Sequence, residues 1–153
     1  MPELASMKRP LRALEVPAEA WYIGTDREIR GRPLCDVGGR AKVGVGLMEL
    51  PAGCNTKPGH WHSHEEEHLY AISGQAVLHL GAEEHLLQAS CYVCFPAGQE
   101  VAHHLENRGT EPFVYLMVGE RVGDDKVTYP SDDRLLPEGA RSHARRSEDE
   151  DTR

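Results

Sequence analysis

The chain has 153 residues, 39% of them hydrophobic, with 15 Gly and 10 Pro, which suits one globular domain rich in turns. Its 25 acidic against 17 basic residues leave a formal net charge of -8, which argues against nucleic acid or an anionic membrane as partner, since phosphate binding needs a basic surface. No apolar run reaches the roughly 18 residues a spanning helix needs, and the first ten residues lack the apolar core of a signal peptide, which points to the cytoplasm.

In chain order, Pro2, Pro10 and Pro17 break any long helix over residues 1–20. Residues 17–22 read as a turn leading into a strand. The adjacent aromatics Trp21 and Tyr22 belong to packing across a sheet face or to a dimer contact. Residues 23–40, with Gly24, Gly31, Gly38 and Gly39, read as connecting loop with one short strand. A strand follows over 41–50. Gly44 and Gly46 share a face there with Met48, which marks either close approach of a ligand or simple crowding. Further short strands are expected at 69–72, 75–80, 85–87, 92–95, 101–107 and 113–118, with 69–72 and 75–80 pairing as a hairpin about Ser73 and Gly74. Turn signals every eight to twelve residues between such strands spell an all-β sandwich or barrel. After Pro130 the pattern stops. Residues 138–153 hold no bulky apolar side chain and cannot offset an ordering cost of about 1–2 kcal/mol per residue, so 131–153 reads as a largely disordered tail containing His143.

Chemistry concentrates at His60-Trp61-His62-Ser63-His64-Glu65-Glu66-Glu67-His68, which holds four of the nine histidines. On extended backbone His60 and His62 point the same way. A short reversal after them brings Glu67 back as an anionic third donor. Two imidazoles and a carboxylate on one face leave coordination positions open, as a catalytic metal requires. A fourth donor should come from a second strand, where His103 or His104 can face the same cavity but not both. Asn107, Glu66 and backbone carbonyls are candidates to orient the imidazoles. Cys35, Cys54, Cys91 and Cys94 read as small hydrophobes; the Cys91-Cys94 pair falls on a strand that sends its sulfurs to opposite sides.

These residues resemble the cupin superfamily in its small single-domain form. The first motif of that family is matched by Gly53, His60-Trp61-His62, Glu67 and Gly74, with one extra residue after Gly53. The second is matched by Pro96-Ala97-Gly98, His103 and Asn107, with Ser90 in place of the leading glycine and a longer spacer before His103. The resemblance implies a jelly-roll barrel (double-stranded β-helix) over 41–130, with 1–40 as an N-terminal extension packing on the barrel or on a partner. It selects His60, His62, Glu67 and His103 as ligands of one divalent transition-metal ion and leaves His64, His68 and His104 outside.

Cupins of this size include dioxygenases acting on small molecules and isomerases or epimerases acting on sugars. The expected function is therefore that of a metal-dependent enzyme on a small organic substrate; the alternative is a non-catalytic metal- or ligand-binding module. Nitrogen and oxygen donors suit Fe, Mn, Ni, Co, Cu or Zn. Tyr115, Met117, Leu69 and Phe95 are candidates to line the pocket. Assembly as a homodimer is expected, joined through the N-terminal strands.

Overall fold

The computed structural model describes residues 10–22, 28–35 and 42–130; the expected tail over 131–153 and the first nine residues lie outside these. Among the described residues the strands run β1 (Glu19–Tyr22), β2 (Glu28–Pro33), β3 (Val43–Leu50), β4 (Trp61–His62), β5 (Glu67–Ser73), β6 (Gln75–Leu80), β7 (Glu83–Gln88), β8 (Tyr92–Phe95), β9 (His103–Glu106), β10 (Phe113–Glu120) and β11 (Val127–Thr128), with a 3-10 turn at Ala13–Glu15. A six-stranded sheet in the order β1-β2-β3-β10-β5-β8 faces a three-stranded sheet, β7-β6-β9, and β11 pairs with β4. Every strand pairing is antiparallel.

The core lies between the two sheets. Leu50, Leu69, Ala71, Phe113 and Tyr115 come from the large sheet, and Ala76, Leu78, Leu87 and Leu105 from the small one. Alternation along each strand selects them: on β5 the inward column is Glu67, Leu69, Ala71, and on β9 it is His103, Leu105. Each fully buried Leu or Phe contributes about 1.5–3 kcal/mol relative to exposure. At one end of the sandwich the inward column changes from apolar to polar, and that end carries the histidines.

The expected hairpin between 69–72 and 75–80 does not form. β5 pairs with β10 and β8, whereas β6 pairs with β7 and β9 in the other sheet. The chain crosses between sheets at Gly74, whose φ is +74 and whose absent Cβ would fall 2.2 Å from the Pro112 carbonyl oxygen. Only glycine fits that passage. The space over Gly44 and Gly46 is filled by the Arg121 guanidinium and the Met48 sulfur, so local crowding accounts for both.

Ser90, where the resemblance expects glycine, adopts a left-handed φ of 68 and donates its amide to the Ala71 carbonyl at 2.8 Å. It thus holds the backbone shape that glycine holds without strain. The longer spacer before His103 is absorbed by a loop in which Glu100 takes φ 57, so β9 begins at His103 with its inward parity kept. Asn107 is fully buried and fastens the next turn. Its side-chain amide donates to the carbonyls of Leu50 and Glu111 at 2.9 and 2.8 Å, and its oxygen accepts the Gly109 amide at 2.9 Å.

Candidate functional site

His60 and His103 are backbone partners: each amide donates to the other's carbonyl, at 3.2 and 3.0 Å, which sets their rings 4.7 Å apart. His62, two residues on, lies on β4 with its ring 5.2 Å from His60. Glu67 opens β5 opposite Gly119. Its Oε2 lies 3.1 Å from His103 Nε2, 3.4 Å from His62 Nε2 and 3.9 Å from His60 Nε2. Donor atoms of His60, His62 and Glu67 all fall within 4.8 Å of one another, and His103 joins them through Glu67. The reversal after His62 and the bridge between His60 and His103 therefore bring together all four residues singled out in the sequence. His103 is further fixed by Phe95, whose ring stacks on it at 3.8 Å and 6°.

The remaining histidines among the described residues point elsewhere. His104 stacks on His79 at 4.3 Å, on the opposite side of β9 from His103; burial and the neighbouring His79 push it down to about 4. His64 bonds Ser63 Oγ and is exposed, and His68 pairs with Glu66. Neither Asn107 nor Glu66 supports the imidazoles: the first is committed to its turn, and the second faces outward. That support comes from Asp125, absent from the sequence reading. Its Oδ2 lies 2.7 Å from His62 Nδ1, and its Oδ1 accepts the amides of His64 and Glu65 at 2.9 and 3.0 Å, with its side chain only 2% exposed. Asp125 lies 63 residues from His62 in sequence, in a segment without any metal-ligand spacing, so no local pattern reveals it. Tyr129, likewise missed, places its ring 5.8 Å from that of His60.

The electrostatics follow from these contacts. Burial opposes a charged His62, but hydrogen bonds to Glu67 and Asp125 outweigh it and push the ring up to about 9. Burial likewise opposes a charged Glu67, yet His103, His62 and His60 hold its carboxyl far below the ordinary range. Asp125 is lowered despite burial, by His62 and the two amides. Burial and the nearby Glu67 raise the Tyr129 phenol, which stays protonated at neutral pH. Burial also raises Glu65. Three imidazoles and one carboxylate converging from β4 and the residue before it, β5 and β9, with the far nitrogen of one ring already held by a buried carboxylate, fit a divalent transition-metal ion.

A small cavity opens beside His62 and His103, walled by Trp61, Leu80, Phe95, Pro96, Gln99 and Val101. Of the four pocket residues expected from sequence, Phe95 lines it; Leu69 and Tyr115 are core, and Met117 packs against the core.

A family model for the cupin domain matches residues 46–119. No curated protein matches the sequence. Among solved structures, a sugar phosphate isomerase of the cupin superfamily from Silicibacter pomeroyi DSS-3 is 25% identical, with a TM-score of 0.74 over 82% of this chain and 83% of that one. A protein from Acidithiobacillus ferrooxidans ATCC 23270, provisionally described as a sugar phosphate isomerase, is 27% identical, with a TM-score of 0.70 over 79% of this chain and 80% of that one. A Thermotoga maritima protein, described by prediction as an oxalate decarboxylase, shares the fold at 22% identity and a TM-score of 0.62, over 73% of this chain and 98% of that one. No helix among the described residues is long and apolar enough to cross a membrane.

Proposed function

This chain belongs to the cupin superfamily, and on that footing we propose that it is a metal-dependent enzyme acting on a small hydroxy-carbonyl compound of the sugar or sugar-phosphate class. His60, His62, Glu67 and His103 hold one divalent transition-metal ion in this reading. The observation that carries it is the convergence of three imidazole nitrogens on Glu67 Oε2, within 3.1 to 3.9 Å. A bound ion supplies Lewis acidity at a substrate oxygen. Three neutral imidazoles and one carboxylate leave such a site a net positive charge, which favours an anionic or chelating oxygen ligand. Asp125 holds His62 in the tautomer that turns Nε2 inward. Tyr129, protonated at neutral pH, donates a hydrogen bond to a substrate oxygen beside His60. The isomerase assignment draws its support from the two similar structures named for that activity.

One observation favours a second reading. Beside the polar His62, His103 and Gln99, the cavity wall carries the apolar side chains of Trp61, Leu80, Phe95 and Val101, which suit an organic substrate with an apolar part and dioxygenase chemistry. A cytoplasmic location and a homodimer complete the proposal; four free cysteines suit a reducing compartment.

The test is anaerobic reconstitution with each candidate metal, elemental analysis, and parallel screens for sugar-phosphate isomerisation and oxygen uptake. His62→Ala should hold one ion per chain fewer than wild type and lose turnover. A folded wild-type chain that takes up no ion at this cluster overturns the reading. Oxygen uptake without isomerisation selects the second, and a bound ion with neither activity leaves a binding module.

A further inference from the structure

We propose that Glu66, His68 and Cys94 form a second cation site, on the outer face of the six-stranded sheet, for a borderline-soft divalent ion of the zinc class. Alternation along β5 sends Glu67 inward and its neighbours Glu66 and His68 outward, so this group is separate from the inner cluster. His68 lies directly opposite Cys94 in the antiparallel pairing of β5 with β8. Side chains so paired start about 4.5–5.5 Å apart at Cβ, close enough to chelate one ion. Glu66, two residues before His68, shares its face. The donor atoms of all three lie within 4.8 Å of one another.

A fourth side chain holds the ring. His68 Nδ1 lies 2.7 Å from the Tyr92 hydroxyl, and the two rings stack at 5.9 Å and 20°. Nε2 lies 2.7 Å from Glu66 Oε1, so the two share a hydrogen bond in the metal-free protein, and an ion bound here takes the place of the shared proton. A histidine that gives its far N–H to a neighbour and its near nitrogen to a cation is the usual arrangement at metal sites. Tyr92 itself is 60% exposed, so the site is open to an ion from solvent.

The donor set chooses the ion class. One sulfur, one nitrogen and one oxygen disfavour calcium and magnesium, which take oxygen alone. Zinc accepts all three and completes a tetrahedron with water. An ion bound here ties edge strand β8 to β5. Cys54 and Cys91 pack against the core, as the sequence predicts for small hydrophobes. Cys94 instead faces Glu66 and His68.

Cobalt(II) is the probe, because thiolate coordination gives a near-ultraviolet sulfur-to-cobalt charge-transfer band that the sulfur-free inner cluster cannot produce. The full chain titrated with cobalt should show the band, and added zinc should bleach it. Cys94→Ser should abolish the band, His68→Ala should weaken cobalt binding by about tenfold or more, and His62→Ala should leave the band in place. A wild-type chain without the band at saturating cobalt overturns the proposal, as does a band that survives Cys94→Ser. An independent arm uses wild type alone, with alkylation of each cysteine followed by mass spectrometry. Zinc should slow labelling of Cys94 by about tenfold or more while Cys35 is unaffected, and equal rates with and without zinc at Cys94 refute the site.

Discussion

Asp125 shows how a single residue decides whether the imidazole cluster is ready for an ion. It grips His62 Nδ1 at 2.7 Å while its other oxygen takes two backbone amides, so the carboxylate and the ring are oriented together. Asp125→Asn keeps the shape and removes the charge. Loss of such a partner typically costs about 10–100-fold in metal affinity. The pH dependence has a definite sign. His62 is pushed up to about 9 in the metal-free protein, and an ion binds only the neutral ring, so metal must displace a proton at any pH below that value. Apparent affinity therefore rises with pH up to about 9. The substitution weakens the hold on that proton as well, so its penalty should be smaller at pH 7 than above pH 9. Isothermal titration at the two pH values checks this, and a penalty independent of pH would falsify the coupling between Asp125 and the His62 proton. At this scale the sequence was legible where donors sit a few residues apart, as in His60, His62 and Glu67. It was silent where the partner arrives from a distant part of the chain, as Asp125 and Tyr129 do from either side of β11.

Strand parity carries the site at the scale of elements. On β9 the inward positions are His103 and Leu105, and the outward ones His104 and Glu106, whose carboxylate bonds His79 at 2.8 Å. His103→Ala should therefore cost far more metal than His104→Ala, measured as ions retained after dialysis. Equal loss in both would mean that β9 does not present one face to the site. Individual strands could be read from alternation and turn residues: β6 and β8 begin and end where the sequence predicts. Which strand pairs with which could not, because Gly74 turns the chain into the other sheet where a hairpin was expected, and the decisive contact, with the Pro112 carbonyl, comes from far along the chain. Ser90 shows the reverse case, a residue that departs from the motif while its backbone does not. Holding a non-glycine residue in the left-handed region costs about 1–2 kcal/mol, which the surrounding pairing sustains.

For the molecule as a whole, the sheet order leaves β1 at one edge and β8 at the other. β1 pairs with β2 through residues 19–22, and the segment before it folds back: Val16 is buried and its carbonyl accepts the Arg32 guanidinium. The N-terminal extension thus joins its own sheet through one edge of β1 and offers the other for pairing with a second copy. The outward face beside it is apolar in register: Leu47, Leu116 and Tyr70 align across β3, β10 and β5. A net charge of -8 opposes association only modestly, because exposed charges are screened beyond about 8 Å at physiological salt. We therefore expect a homodimer, with an obligate interface of roughly 2,000 Å² or more. Light scattering at micromolar concentration should give twice the 17.0 kDa of one chain, and a mass of one chain refutes the dimer. Deleting residues 1–22 removes β1 and should shift the mass to that of a monomer. A dimer that survives the deletion but is lost on Tyr70→Lys would move the interface from the β1 edge to the outer face of the sheet, where Tyr70 is 47% exposed.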